Sequence, residues 1–259
     1  MSYAYISIEK HNSVSIIQLN KPEMRNVLAA EMREELITAL QGAEQDMEIR
    51  AVVLAGKGKA FSAGGDLHAL RKLQPLEGKK RLERGYQLLF TLLEMEKPVI
   101  AAVHGAAAGA GFNLALACDL IVAEEDSFFV QSFVNVGLVP DFGGIHFLPS
   151  LAGDKKAKEW MFLGEKVDAK EAYQFGIVNQ LVSSGQALSS AIKLAEKIAA
   201  KAPVAVGLTK KLLNQQVHQT LRSFLAAEAI AQEVCLQTGD FQEGVQAFFE
   251  KRVPAFQGK

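Results

Sequence analysis

The sequence contains few cysteines, and none of them stands in a pattern that binds a metal. Its two cysteines, Cys118 and Cys235, are far apart, there is no Cys-x-x-Cys pair, and no group of cysteine and histidine residues has metal-ligand spacing. Cys118 lies in the apolar run LALACDL, where a free cysteine is usually buried. We therefore expect no metal site and a buried, reduced Cys118.

Neither sign of charge dominates, and no long apolar run is present. The 28 Lys and Arg residues balance the 29 Asp and Glu residues to a net charge of -1, which gives no reason to expect nucleic acid or an anionic membrane as a partner. The longest apolar segment, residues 97–123, is interrupted by glycines and by Asn113 and Asp119. The amino terminus lacks the apolar core of a secretory signal. We expect a soluble cytoplasmic protein.

Strand and helix patterns alternate through the first part of the chain. Short, mostly apolar runs predict buried strands at residues 13–19, 51–56, 98–103 and 119–123. Apolar residues at helical spacing predict amphipathic helices at residues 29–45 and 80–95. This alternation predicts an α/β fold.

Strand patterns stop at about Ser189. Four successive amphipathic helices are predicted after it, at residues 189–201, 203–216, 221–237 and 241–252. We therefore divide the chain into a core of residues 1–199 and a helical region of residues 200–259. The apolar faces of these helices need either a core of their own or another subunit to cover them.

Two glycine-rich segments each follow a predicted strand and lead into a helical pattern. They are KAFSAGGDL, residues 59–67, and HGAAAGAGFNLALACDL, residues 104–120. Neither contains the Walker phosphate loop or the dinucleotide fingerprint. Close packing of small residues is one interpretation. The other is that backbone N–H groups at two helix amino termini converge on one carbonyl oxygen.

These two segments, followed by VGLVPDFGG, resemble the crotonase (enoyl-CoA hydratase/isomerase) superfamily. The resemblance runs from KPEMRNVL to FQEGVQAFFEKRVPAFQGK and is closest to the phenylacetate-pathway type of enoyl-CoA isomerase, in AAGAG, in LVPD-GG and in the carboxy-terminal motif. It implies a crotonase-like spiral of repeated ββα units with a C-terminal helical trimerisation region. It also implies an acyl-CoA thioester substrate, homotrimers or hexamers, and no cofactor beyond the coenzyme A of the substrate.

The resemblance also assigns site residues. It implies that the backbone N–H groups of Ala63 and Ala110 hold the thioester carbonyl. It implies substrate contacts at Arg25, Ala60, Ser62, Gly64, Asp66, Leu67, Gly109, Asn113, Phe133 and Lys251. For four of these an alternative is open. Asp66 is well placed to cap the helix that follows it, and Asn113 could be a hydrogen-bonded polar group at a helix start. Exposed side chains such as those of Arg25 and Lys251 are more often only solvated.

One departure from the family bears on the reaction. The resemblance places the two glutamates of family hydratases at Asn113 and Phe133, and neither side chain can act as a base. Asp141, in GLVPDFGG, is then the acid that remains, and one carboxylate can move a proton along an enoyl chain without adding water. The resemblance thus predicts an isomerase. A turn-forming or helix-capping Asp141 is the structural alternative.

Two further kinds of function, one enzymatic and one not, are alternatives to the isomerase. A hydratase, thioesterase or ring-opening enzyme would use the same scaffold. A non-catalytic acyl-CoA-binding subunit would keep the pocket and lose the chemistry. All of them need the paired N–H groups, so Asp141 is the residue that separates the isomerase from the binding subunit.

Overall fold

The computed structural model describes residues 3–259, apart from the side chains of residues 216–220. The strands are β1 (Ile6–His11), β2 (Val14–Leu19), β3 (Ala51–Gly56), β4 (Ala60–Ser62), β5 (Val99–Val103), β6 (Ala106–Ala108), β7 (Leu120–Glu124), β8 (Phe128–Val130), β9 (Lys166–Asp168) and β10 (Gln180–Val182). The helices are α1 (Ala30–Gln45), α2 (Leu67–Leu70), α3 (Glu77–Glu94), α4 (Ala110–Leu116), α5 (Gly144–Ala152), α6 (Asp154–Leu163), α7 (Ala169–Gln174), α8 (Ala187–Ala199), α9 (Pro203–Leu236) and α10 (Gly239–Glu250), with 3₁₀ helices at Pro22–Met24 and Ser132–Val136.

The larger sheet has the strand order β1-β2-β3-β5-β7-β10. β1 is antiparallel to β2, and every other neighbouring pair is parallel. β3 and β5 are buried along their whole length because helices cover both faces of the sheet. That burial explains why short apolar runs predicted strands. The predicted strands β2, β3, β5 and β7 are confirmed.

The smaller sheet, of order β4-β6-β8-β9, is built from short strands that follow those of the larger sheet. β4 comes after β3, β6 after β5 and β8 after β7, and the pairs β4–β6 and β6–β8 are parallel. The ββα repeat of the expected spiral is therefore confirmed. Because β4 and β6 are parallel neighbours, the two glycine-rich segments leave the sheet side by side.

The second face of the larger sheet is covered by α8 through a stripe of alanines. Ala187, Ala191, Ala195 and Ala199 recur every four residues and are buried against the strands. Small side chains at this spacing let the helix axis approach the sheet closely. The last helix of the core is thus part of the sheet packing.

The helical region differs from the sequence-based expectation in one respect. The helices predicted at residues 203–216 and 221–237 form one helix, α9, of 34 residues. Its only proline, Pro203, lies at the first helical position, where proline is tolerated, and no proline interrupts the rest of the helix. Polar and charged residues recur along α9, and none of the helices in the described residues could span a bilayer.

α9 packs against the core of its own chain. Leu221, Leu225 and Ala229 belong to the main apolar core, and Nδ2 of Asn214 donates to the carbonyl of Leu93 on α3 at 2.9 Å. One face of the helical region is therefore covered within the chain.

Candidate active site

A cavity of about 720 Å³ opens where the two glycine-rich segments meet. This volume lies in the range of small-molecule sites. Residues predicted from the sequence that line it are Arg25, Ala63, Asp66, Leu67, Gly109, Ala110, Phe133 and Asp141. Ala60, Ser62, Gly64, Asn113 and Lys251, which were also predicted, lie outside the lining.

The two glycine-rich segments touch each other at Gly64. Gly64 has φ +87°, and a Cβ there would overlap the carbonyl oxygen of Ala108 and lie 3.1 Å from the backbone nitrogen of Ala110. Only glycine fits such a close approach at positive φ. The two segments therefore meet at this point, which both interpretations above require.

One of the two backbone N–H donors predicted at this junction is a different residue in the structure. The N–H of Ala63 donates to the carbonyl of Arg25 at 2.8 Å, so it is not available to a substrate. Ala110 is the first residue of α4, and among the described residues neither its N–H nor that of Gly65 has an acceptor. Gly65 and Ala110 both line the cavity. The structure thus replaces Ala63 by Gly65 as the candidate donor.

For four of the predicted contact residues the structure shows a hydrogen-bond role, a strand position or an exposed position. The carboxylate of Asp66 accepts hydrogen bonds from the N–H groups of His68 and Ala69, so it caps α2 as the capping alternative predicts. Ser62 is buried and donates to the carbonyl of Asn26 at 2.8 Å. Ala60 lies in β4, and Lys251 is exposed at the end of α10. Of the four, only Asp66 reaches the cavity.

Asp141 lies in the loop between the 3₁₀ helix Ser132–Val136 and α5, and its carboxylate is 7% exposed. Its Oδ2 accepts a hydrogen bond from Nε2 of Gln232 at 3.1 Å. Its Oδ1 is buried and accepts no hydrogen bond from the described residues. α5 begins after Gly143 without help from the Asp141 carboxylate, so the capping interpretation is wrong for this side chain.

The surroundings of Asp141 favour its protonated form. Burial raises the pKa of Asp141 above its ordinary value, while Arg81, the Gln232 hydrogen bond and Arg33 act in the opposite direction. A carboxylate with a raised pKa is a stronger base when ionised and a usable acid when protonated. This is the behaviour that a proton shuttle requires.

The resemblance places the hydratase glutamates at Asn113 and Phe133. The structure gives these two side chains different surroundings. Asn113 is fully buried, and its Nδ2 donates to the backbone carbonyl of Asp141 at 2.6 Å. Its Oδ1 accepts from Nε2 of Gln131 at 2.7 Å. The expected substrate contact of Asn113 is therefore replaced by a contact that holds the Asp141 backbone. Phe133 lines the cavity with an apolar ring beside Val136 and Leu138.

Two residues of α9 hold the Asp141 loop, and the sequence analysis missed both. Gln232 spans the loop, since its Oε1 accepts from the N–H of Val139 at 3.1 Å while its Nε2 binds Asp141. Glu228, one helical turn earlier, accepts from the Tyr86 hydroxyl at 2.8 Å and from the N–H of Gly143 at 3.3 Å. Two polar residues on the buried face of a helix are the sequence signal for such contacts.

Comparison with known protein families shows which family the chain belongs to. The family model described as enoyl-CoA hydratase/isomerase matches residues 9–259. The chain belongs to the enoyl-CoA hydratase/isomerase family. This membership confirms the resemblance seen in the sequence and makes the chain an enzyme.

Relatives in this family carry different activities in their names. A short-chain-enoyl-CoA hydratase of Clostridium acetobutylicum is 35% identical over 95% of each chain. A 1,2-epoxyphenylacetyl-CoA isomerase of Escherichia coli is 36% identical over 100% of each chain. The crystal structure of an enoyl-CoA hydratase from Mycobacterium avium subsp. paratuberculosis superimposes with a TM-score of 0.89 at 28% identity, covering 99% of this chain and 100% of the other. Family membership alone therefore leaves hydration and isomerisation to be separated by the site.

Glu228 gives this family member a pH-dependent stability that can be measured. Burial, followed by the negative charge of Asp141, raises the pKa of Glu228 to about 8. Because the unfolded chain releases this proton near pH 4.5 and the folded chain holds it to about 8, the free energy of unfolding falls as the pH rises between these values. Glu228→Gln cannot ionise, so we expect the variant to lose a slope of up to about 1.4 kcal/mol per pH unit.

Urea denaturation of the wild type and of Glu228→Gln, followed from about pH 5 to about pH 9, checks this expectation. The two stability curves should diverge as the pH rises, with the variant relatively more stable at the alkaline end. Parallel curves over the whole range would contradict the raised pKa of Glu228.

Proposed function

We propose that this enzyme is an acyl-CoA isomerase that shifts the double bond of an enoyl-CoA with Asp141 as a single proton shuttle. The observation that carries the proposal is the asymmetry of the Asp141 carboxylate. Oδ2 is held by Gln232, while Oδ1 is buried without a partner among the described residues, and Asp141 lines the cavity. A fixed carboxylate with one free oxygen is suited to accept and return one proton.

The thioester oxygen would bind at the junction of the two glycine-rich segments. The N–H groups of Gly65 and Ala110 are the donors proposed for it, and charge that builds up on this oxygen during the reaction would be stabilised there. Loss of one such donor costs about 3 kcal/mol in other enzymes. Polarisation of the carbonyl in this way acidifies the α-carbon of the acyl group.

The proposed step conserves atoms and electrons within the acyl group. Oδ1 of Asp141 takes a proton from C2 of a 3-enoyl-CoA, the C–H electron pair forms the C1–C2 double bond of a dienolate, and the π pair of the C1–O bond moves to the thioester oxygen. As the C1–O double bond forms again, the C1–C2 pair becomes the C2–C3 double bond and the former C3–C4 pair takes the same proton at C4. The product is a conjugated 2-enoyl-CoA, and no further reactant or cofactor enters the balance.

Hydration is the second candidate, because relatives with this fold bear hydratase names. It needs a water molecule held and activated by acid and base groups. The buried Glu228 does not line the cavity, and its oxygens are engaged by Tyr86 and Gly143. Phe133 presents an apolar ring to the cavity. These features support isomerisation over hydration.

An assay of the wild type on paired substrates tests the proposal. We expect a 3-enoyl-CoA to be converted to the conjugated 2-enoyl-CoA with unchanged mass, and a 2-enoyl-CoA of the same chain to gain no water. Both outcomes are measured by the absorbance of the conjugated thioester and by mass spectrometry. A product heavier by one water, formed faster than any isomer, would establish the hydratase instead.

The quaternary structure stays a prediction. The resemblance implies a trimer or a hexamer of this chain. Val204, Leu208 and Leu212 recur every four residues on α9 and are exposed, which supports a further contact for this helix. This α9 face is the proposed place for the subunit contact.

A further inference from the structure

Gln232 is a polar residue in the buried row of α9. Leu221, Leu225 and Ala229 recur every four residues on this helix and belong to the main apolar core. Gln232 follows Ala229 by three residues, lies on the same face and is 2% exposed. An apolar side chain at this position would avoid the cost of removing an amide from water. The hydrogen bonds of the amide are therefore what the glutamine provides.

The amide of Gln232 joins two points of the Asp141 loop. Its Oε1 accepts from the N–H of Val139 at 3.1 Å, and its Nε2 donates to Oδ2 of Asp141 at 3.1 Å. Among the described residues this is the one hydrogen bond that the Asp141 carboxylate accepts, because Oδ1 has no partner there. The two oxygens of the catalytic carboxylate are thus unequal, and Gln232 makes them so.

Val139 sets the orientation of the Gln232 amide. A backbone N–H can only donate, so the amide oxygen must face Val139 and the NH₂ group must face Asp141. The reversed orientation would place the NH₂ group against the N–H of Val139 and remove both hydrogen bonds. The contact with Val139 therefore ensures that Oδ2 meets a donor.

This donor bears on where Asp141 can carry a proton. A proton on Oδ2 would turn that atom into a hydroxyl oxygen, which is a weaker acceptor, and the bond from Nε2 would be weakened. A proton on Oδ1 leaves the bond intact. Burial raises the pKa of Asp141, while Arg81 and the bond from Gln232 act in the opposite direction and favour the ionised base.

We propose that Gln232 is a positioning residue for the proton shuttle, which holds Oδ2 as an acceptor and confines the travelling proton to Oδ1. The inference rests on the proposed function, because it assigns the two oxygens of Asp141 separate tasks in that reaction. Asp141 is among the residues that line the cavity and Gln232 is not, so Gln232 acts through Asp141.

Other charged and titratable groups act on Asp141 and stay in place when Gln232 is replaced. Those whose charges interact with it, on α1, α3 and α9, are Arg33, Arg81, Tyr86 and Glu228. Variants of Gln232 compared with the wild type over one pH range therefore isolate the contribution of its amide.

Gln232→Met tests the positioning role without depending on turnover. Methionine has a similar length and lacks the amide. The Asp141 carboxyl group is followed by ¹³C NMR in protein labelled at aspartate, with Asp141→Asn to assign its signal. We expect its titration to move to higher pH by about one pH unit, because a donor to the charged form is lost. Gln242→Met, at an exposed glutamine of α10, should leave the titration unchanged.

The pH profile of kcat/KM for a 3-enoyl-CoA reports the same change through catalysis. Its acid limb should move to higher pH in Gln232→Met by about one pH unit, since the base must be ionised. A substitution that merely loosened the loop would lower the plateau of the profile and leave the limb in place. The affinity for a saturated acyl-CoA, measured by calorimetry, should stay nearly unchanged.

Gln232→Glu is a second variant that keeps the anchor at Val139. The new carboxyl group can accept from Val139 and, while protonated, donate to Oδ2 of Asp141. We expect activity near that of the wild type while the pair of carboxyl groups holds one proton. When this proton leaves, the two charged groups repel each other, so activity should fall at alkaline pH more than in the wild type.

The outcomes separate the positioning role from the proposed function. A folded Gln232→Met with the wild-type titration and the wild-type acid limb would overturn the role of Gln232, and so would a Gln232→Glu profile identical to that of the wild type. Thermal unfolding shows whether each variant is folded. If the NMR titration moves as expected but the wild type isomerises no 3-enoyl-CoA, the effect of Gln232 on Asp141 stands and the isomerase is rejected.

Discussion

Asp141→Asn is expected to lower kcat for isomerisation of a 3-enoyl-CoA by about 10²- to 10⁴-fold. Asn has nearly the same size, and its carbonyl can still accept the hydrogen bond from Gln232. It cannot take up a proton, so the shuttle is lost while the loop keeps its contacts. Steady-state kinetics with a 3-enoyl-CoA give the rates, and calorimetry with a saturated acyl-CoA gives the affinity.

The affinity for the saturated ester should stay nearly unchanged in Asp141→Asn. Asp126→Asn is a matched control, because Asp126 is exposed in the turn between β7 and β8. A variant at Asp141 that keeps more than about a tenth of the wild-type kcat would be too active for the loss of a general base. That result would remove Asp141 from the reaction and favour a different base.

Ala110→Pro is expected to reduce kcat by about 10²- to 10³-fold, because it removes one donor from the thioester oxygen. Ala110 is the first residue of α4, a position where proline is well tolerated, and Gly109 before it has the positive φ of 51° that glycine adopts easily. The substitution therefore deletes the N–H with little cost to the helix. Ala110→Gly keeps the N–H and should retain most of the activity.

Thermal unfolding of both Ala110 variants distinguishes a loss of catalysis from a loss of folded protein. Ala110→Pro is expected to melt close to the wild type and to turn over slowly. If Ala110→Pro is folded and as active as Ala110→Gly, the N–H of Ala110 does not bind the thioester oxygen.

Much of the fold follows from sequence patterns. Continuous apolar runs predicted β2, β3, β5 and β7, since strands covered on both faces need no polar alternation. The glycine-rich segments were placed correctly after their strands, although spacing along the chain did not show that they meet. The junction of α9 was predicted wrongly because a local change in apolar pattern was treated as a break, although no breaker stands there.

The details of the site depended on contacts between distant segments. Spacing along the chain does not show that the N–H of Ala63 is used by Arg25, or that Gly65 is the free neighbour. It also does not bring Gln232 to Asp141, since the two are separated by 91 residues. Asp141 could be singled out in the sequence. The groups that hold it and shift its pKa could be identified only from the tertiary structure.

The central claim is that one carboxylate carries one proton between two carbons of the substrate. It is tested most directly with a 3-enoyl-CoA that carries deuterium at C2, converted in ordinary water and analysed by mass spectrometry and NMR. The expected product is a 2-enoyl-CoA in which part of the deuterium has moved to C4, because the same buried Asp141 carboxylate receives the deuteron and returns it. A product with no deuterium at C4, or one that has gained water, would contradict it.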